Sequence, residues 1–309
     1  MHRAADLVIT AEPAPSPART RPATRPVVRV GVIQERWRPD PDEHRVALQD
    51  GIAAAAAAGA TIVFLQELTL NRYFAFDEDP ASAGVHPELP AAGPTYDLCA
   101  GAARAHGIHV HGSLWERGDG DMRFNTAICV GPDGALVATT RKTHIPHFPG
   151  YHEDRYFVPG DTPPVPSEIG SARVGFPTCW DQWFPELSRA YALGGADLLA
   201  YATAIGSEPL HPEWDTEPTW RAAMVGQAVT NGLFIVAVNR VGTEGGLTFY
   251  GSSFVADPFG RVLVSAPRDA AAVLIADIDL DARRDWLEAF PMLADRRPEM
   301  YASASSMGS

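Results

Sequence analysis

The sequence predicts an α/β fold built on mixed sheet, and two observations carry that prediction. Short apolar, β-branched runs alternate with helix-length segments along most of the chain. Two tight turns, Pro132-Asp133-Gly134 and Asp257-Pro258-Phe259-Gly260, join neighbouring runs directly and so require antiparallel pairs inside the sheet.

The elements follow in order. Val27 to Ile33 is a β-branched run that reads as a strand. Residues 42–58 hold an alanine-rich helix, closed by Gly59 at a C-cap position. Thr61 to Leu65 is a second buried strand. A helix at 95–106 precedes a strand at 108–114. Strands at 124–131 and 135–140 flank the Pro132-Asp133-Gly134 turn. A strand at 172–178 leads into a helix at 184–193. Ala196–Tyr201 is a strand, 218–231 a helix and 233–239 a strand. Strands at 249–256 and 261–265 form the second turn-linked pair, and 272–277 is the last strand.

Residues 1–26 differ in texture. They are rich in proline and alanine and carry Arg3, Arg19, Arg21 and Arg25 against Asp6 and Glu12. No apolar core of 7–15 residues marks a signal peptide. The composition reads as a disordered Pro/Arg-rich leader, with an organelle-type or docking arm as the alternative. Residues 27–300 read as one domain. The small, polar stretch 301–309 reads as a flexible tail.

Composition narrows the function. The 309 residues are 46% hydrophobic and 20% charged, which suits a soluble globular body with a large core. A formal charge of −13 argues against a nucleic-acid-binding body, because phosphate contacts need a basic face. No run approaches the roughly 18 apolar residues of a membrane span. Cys99, Cys129 and Cys179 form an odd set without a CxxC pair, which reads as a reducing, cytoplasmic setting and not as a disulfide framework or zinc site. The histidines lack metal-ligand spacing.

Three reactive residues follow predicted strands, where open α/β sheets build their sites. Glu67 follows the 61–65 strand, Lys142 the 135–140 strand, and Cys179 the 172–178 strand. A free thiol is only about 3% thiolate at pH 7 and needs a base or a cation to become a good nucleophile. Glu67 is suited to take the thiol proton. Lys142 is suited to stabilise the thiolate and an oxyanion, and the Trp180 backbone N–H beside the nucleophile to supply a further oxyanion donor. Taken singly, each has a plainer reading: Glu67 as a capping or surface carboxylate, Lys142 as a solvated loop lysine, Cys179 as a small buried residue. Cys99 and Cys129 lie in helix and strand interiors and read as structural.

These residues sit in strings that resemble the nitrilase or carbon–nitrogen hydrolase superfamily. The strings are Leu65-Gln66-Glu67-Leu68, Lys142-Thr143-His144-Ile145-Pro146 and Cys179-Trp180-Asp181-Gln182-Trp183-Phe184-Pro185-Glu186. The resemblance spans roughly Val27 to Leu280. It implies a four-layer αββα sandwich completed by dimer packing, a homodimer or higher homo-oligomer, and a cofactor-free Glu67–Lys142–Cys179 triad acting on non-peptide C–N bonds. It also implies that Glu153, in Tyr151-His152-Glu153-Asp154-Arg155-Tyr156-Phe157, sits beside the lysine.

Within the superfamily the strings are most similar to the N-carbamoylputrescine amidase branch, which also has segments matched by 205–209, 239–242 and 249–254. The chain departs from that branch at Phe176-Pro177-Thr178, at Gln227 in place of a histidine, and over Leu210–Asp215. The implied reaction is hydrolysis of an N-carbamoyl amine. Tyr73, Trp180, Trp183, Asp181 and Glu208 are candidates to hold a cationic tail, and His144 to shape the pocket. Arg72, Arg155 and Arg240 would instead suit an acidic substrate such as 3-ureidopropionate. The alternatives are a β-ureidopropionase, an N-carbamoyl amino acid hydrolase, an aliphatic amidase, a nitrilase, or a catalytically silent binding module.

Overall fold

The computed structural model describes residues 2–82 and 84–301. Two sheets form its centre. The first has seven strands in the spatial order Val8–Thr10, Ala272–Asp279, Val27–Gln34, Ile62–Phe64, His109–Arg117, Arg123–Val130 and Leu136–Arg141. The second has six, in the order Val262–Ser265, Phe254–Ala256, Phe234–Val238, Leu198–Ala202, Ala172–Gly175 and Ser167–Ile169. Both sheets are mixed. In the first, Val30–Val32 pairs in parallel with Ile62–Phe64, while Arg123–Val130 runs antiparallel to both of its neighbours. In the second, Leu198–Ala202 is parallel to Phe234–Val238, which is antiparallel to Phe254–Ala256.

Side chains alternate across each strand, so each sheet has two apolar faces to cover. Val30, Val32 and Phe64 of the first sheet meet Val174, Leu198 and Val236 of the second in a shared core. The other face of the first sheet, with Ile33, Val63 and Val110, lies under Leu48, Ile52, Leu98 and Ala103 of helices α1 (Pro41–Ala57) and α2 (Pro94–His106). The other face of the second, with Leu199, Ile235 and Ala237, lies under Tyr191, Trp220 and Met224 of α3 (Pro185–Leu193) and α4 (Glu217–Asn231). Each fully buried side chain of this kind contributes about 1.5–3 kcal/mol. The order is therefore helix, sheet, sheet, helix. All four layers of this αββα sandwich come from one chain.

Local chemistry sets the helix ends. Asp40 accepts the Asp42 and Glu43 N–H groups and Pro41 opens α1. Gly107 takes the left-handed conformation that closes α2, at φ 67°.

Several expectations change. The 172–178 strand ends at Gly175, because Pro177 has no N–H to give to a ladder. The 249–256 strand splits into Leu247–Tyr250 and Phe254–Ala256. Its break falls at Gly251 and Ser252, both at positive φ, where Gln34 and Asn239 side chains bind the main chain. A fifth helix, α5 (Leu280–Ala289), is capped by Asp279 and carries too little apolar surface to announce itself in the sequence.

The largest difference concerns the stretch expected as a disordered leader, of which residues 2–26 are described and make ordered contacts with the body. Val8–Thr10 adds a parallel edge strand to Val273–Ile275. Ala4 is buried and its N–H donates to Glu35 Oε2 at 2.8 Å. Arg19 bridges Asp279 and Asp285, and Arg25 grips both oxygens of Asp197 at 2.6 and 2.8 Å. The leader is too polar to form a core of its own, but the acidic body supplies its partners. At the other end, Tyr301 closes the short helix Pro298–Tyr301; residues 302–309 of the expected tail lie outside the described residues.

Candidate active site

Glu67, Lys142 and Cys179 converge where the two sheets meet. Glu67 lies just beyond the Ile62–Phe64 strand, in a segment that turns sharply at Leu68, a residue at φ 48°. Lys142 follows Leu136–Arg141, and its N–H donates to the Asn125 carbonyl on the neighbouring strand. Cys179 opens the 3-10 turn Cys179–Trp183 at φ 39°. A non-glycine residue held there costs of order 1–3 kcal/mol, which the surrounding packing must over-determine.

Lys142 Nζ donates to Glu67 Oε1 at 2.9 Å and to Glu153 Oε2 at 2.7 Å. All three groups are shut off from solvent, with Glu67 at 0%, Lys142 at 1% and Glu153 at 1% exposure. Burial alone would push the lysine toward neutrality. The two carboxylates outweigh burial and hold it firmly as ammonium. Burial pushes Glu153 up to about 7; Lys142 opposes that rise and Glu67 adds to it. Cys179 lies well above the ordinary thiol range, raised by burial and by Glu67 against the pull of Lys142. At neutral pH the resting sulfur is therefore a thiol.

Glu67 Oε1 also accepts from Asn125 Nδ2 at 2.7 Å, whereas Glu67 Oε2 has no hydrogen-bond partner among the described residues. One oxygen thus has two donors and the other is left open to accept a hydrogen bond. Asn125 escaped the sequence reading. Its only signal was a carboxamide in the Arg123–Val130 strand, whose later residues Ala127–Val130 are apolar.

Cys179 and Glu153 share one narrow pocket with Trp180, Trp183, Glu208, Pro146, Phe148, Tyr151, Ala204 and Ile205. Trp180 packs against Phe148 and Trp183, at 5.0 and 6.4 Å between ring centroids. Glu208 is partly buried, and burial raises its pKa despite the hydrogen bond from Thr216 Oγ1 at 3.3 Å. Of the residues expected to contact substrate, Trp180, Trp183 and Glu208 line this pocket. Tyr73, Asp181 and His144 do not. Tyr73 is fully packed, with its hydroxyl donating to Glu153 Oε1 at 3.0 Å. Asp181 takes the Thr178 N–H at 3.0 Å and the His144 N–H at 2.9 Å, so it ties the cysteine turn to the lysine loop. His144 hydrogen-bonds to Asp181 and stacks on Phe184 at 3.5 Å.

The arginines considered for an acidic substrate also lie elsewhere. Arg72 pairs with Asp77, Arg155 with Asp154, and Arg240 is buried against Glu244. Gln227 accepts from Tyr201 and donates to the Gln182 carbonyl, bracing the cysteine turn from α4. A larger groove that includes Trp37, Arg38 and Arg45 shares no lining residue with the cysteine pocket. Among the described residues no group of three or more His, Cys, Asp or Glu is placed to hold a metal ion, and no helix is long and apolar enough to cross a membrane.

This geometry agrees with what the chain is similar to. The carbon-nitrogen hydrolase family pattern matches residues 29–288, and the chain belongs to that family. It is a hydrolase of the nitrilase superfamily that acts on C–N bonds as an amidohydrolase. An N-carbamoylputrescine amidase from Solanum lycopersicum is 36% identical over 284 residues, covering 89% of this chain and 94% of its own length. A citrullinase from Francisella tularensis is 34% identical over 278 residues, covering 89% of this chain and 96% of its own. The crystal structure of a carbon-nitrogen hydrolase from Helicobacter pylori G27 superposes with a TM-score of 0.81 at 29% identity, covering 90% of this chain and 98% of that one. An amidase from Nesterenkonia sp. AN1, solved with acrylamide added to its active site cysteine, gives 0.70 at 26% identity, covering 90% and 99%.

Proposed function

We propose that this chain hydrolyses an N-carbamoyl amine, N-carbamoylputrescine or a close chemical relative, with Cys179 as nucleophile. Glu67 Oε2 takes the Sγ proton as the sulfur attacks the ureido carbonyl. The Lys142 ammonium and the Trp180 N–H stabilise the oxyanion. Glu67 returns the proton to the leaving nitrogen, and ammonia departs. Glu67 then deprotonates a water that cleaves the thioester, and the released carbamate loses carbon dioxide to leave the free amine. Glu153 keeps Lys142 in place and charged. No step needs a cofactor or a metal.

The observation that carries the substrate class is the charge of the pocket. Its lining includes the carboxylate of Glu208 and the faces of Trp180, Trp183, Phe148 and Tyr151, and no cationic side chain. A carboxylate among aromatic faces suits an ammonium tail, whereas the carboxylate of a ureido acid or of citrulline would need a cation there. The reading extends to a homodimer that pairs across α3, where Leu193 is exposed, and to a cytoplasmic setting that keeps the three cysteines free.

An ammonia-release panel tests the function. N-carbamoylputrescine is expected to turn over ahead of citrulline, 3-ureidopropionate, aliphatic amides and nitriles, and Cys179→Ala to abolish turnover. Absence of ammonia from every ureido compound would overturn the substrate class. Unchanged activity in Cys179→Ala would overturn the nucleophile.

A further inference from the structure

We propose that Arg240 is a positioning residue that aligns both carboxylates flanking Lys142, and so sets how readily Glu67 activates the Cys179 thiol. The proposal rests on the triad reading above. Arg240 follows the Phe234–Val238 strand of the second sheet and is completely buried. Its Nη2 donates to the main-chain carbonyl of Glu67 at 2.6 Å, and also to those of Leu68 at 3.4 Å and Asn71 at 3.3 Å. These carbonyls belong to the strained turn that carries Glu67 out of the first sheet. One guanidinium therefore clamps the base loop onto the opposite sheet.

The other side of the guanidinium reaches the second carboxylate. Arg240 Nη1 donates to both oxygens of Glu244, at 2.8 and 2.7 Å. Glu244 Oε2 accepts the Tyr73 N–H at 2.6 Å, and the Tyr73 hydroxyl donates to Glu153 Oε1. Two arms thus leave Arg240 and close on Lys142, one through the Glu67 backbone and one through Glu244, Tyr73 and Glu153. A buried arginine–carboxylate pair is a poor source of stability, because desolvation consumes most of the attraction. It supplies instead a planar, five-donor fork that fixes several acceptors at once, a geometry lysine cannot reproduce. Displacement of a reacting group by about 1 Å can cost about a hundredfold in rate.

The test reads thiol activation directly and needs no assumption about the natural substrate. Iodoacetamide alkylates Cys179 when its thiolate displaces iodide from the reagent's methylene carbon, with the thiol proton passing to Glu67. Mass spectrometry distinguishes Cys179 from the buried Cys99 and Cys129. The second-order rate is measured against pH for the wild type, Arg240→Lys, Arg240→Gln and Glu67→Gln, each first checked for native near-ultraviolet circular dichroism.

The expected result is a fall of tenfold or more in both Arg240 variants. Rates within twofold of wild type in folded Arg240 variants would overturn the proposal, since a purely structural arginine would lower stability and leave the folded enzyme's thiol unchanged. Where neither arginine variant folds, Tyr73→Phe cuts only the Glu153 arm; the expected result is a several-fold fall, and no change overturns that arm. If Glu67→Gln alkylates like wild type, the failure lies in the assignment of the base and not in Arg240.

Discussion

Glu208 carries the substrate argument at the scale of single residues. Its carboxylate shares the pocket with Cys179, and burial already lifts its pKa, so an ammonium that reaches it finds a poorly solvated anion. Charge-assisted hydrogen bonds contribute roughly 1.5–3 kcal/mol. Glu208→Gln is therefore expected to raise KM for N-carbamoylputrescine roughly tenfold to a hundredfold, by the same energies, with kcat nearly unchanged. A small neutral amide, if it turns over, should show no such loss, and steady-state kinetics on both substrates checks the pair. An equal effect on both would remove Glu208 from amine recognition. Arg240 shows how a residue can be noticed in the sequence for the wrong reason. Its charge suggested substrate binding, whereas its fork is spent on Glu244 and on main-chain carbonyls.

Among the elements, the His109–Arg117 strand carries an internal weakness that faces the shared core. His111 is fully buried and stacked on Phe176 at 5.2 Å, and neither ring nitrogen has a hydrogen-bond partner among the described residues. Burial lowers its pKa from 6.5 to about 3. The unfolded chain therefore takes up a proton near pH 6.5 that the folded chain refuses until about pH 3. Stability is complete above pH 6.5 and declines as pH falls through that window, by about 2 kcal/mol at pH 5. The lowered pKa of buried His44 acts in the same direction. His111→Phe keeps the stack and removes the titration. Its urea midpoint should fall less than that of the wild type between pH 8 and pH 5, and parallel slopes would show that His111 does not govern the decline.

Across the whole molecule, the N-terminal segment straps the sandwich along one edge. It covers the Ala272–Asp279 strand and engages buried Asp197, Asp281 and Asp285. Removing one partner of a buried ion pair costs about 3–5 kcal/mol, and an uncovered edge strand invites pairing with another chain. Deletion of residues 2–26 is expected to lower the unfolding free energy read from urea denaturation by about 3 kcal/mol or less, since Arg19 and Arg25 stay 27% and 36% exposed. It should also add concentration-dependent species in light scattering beyond the proposed dimer. An unchanged midpoint and mass would mean that the strap contributes neither stability nor protection.

The sequence by itself determined the α/β class, the order of most elements and the placing of Glu67, Lys142 and Cys179 at strand ends. These are legible because strand and helix periodicities are local, and because a carboxylate, an amine and a thiol each stand just past an apolar run. Tertiary structure decided the rest. It tied Tyr73 to Glu153 and His144 to Asp181, made Asn125 a partner of the base, and gave the leader its acidic docking sites. Those outcomes depend on desolvation and on hydrogen bonds between residues far apart in the chain. A side chain's type states which bonds it is able to make, and only the packed molecule selects which of them it makes.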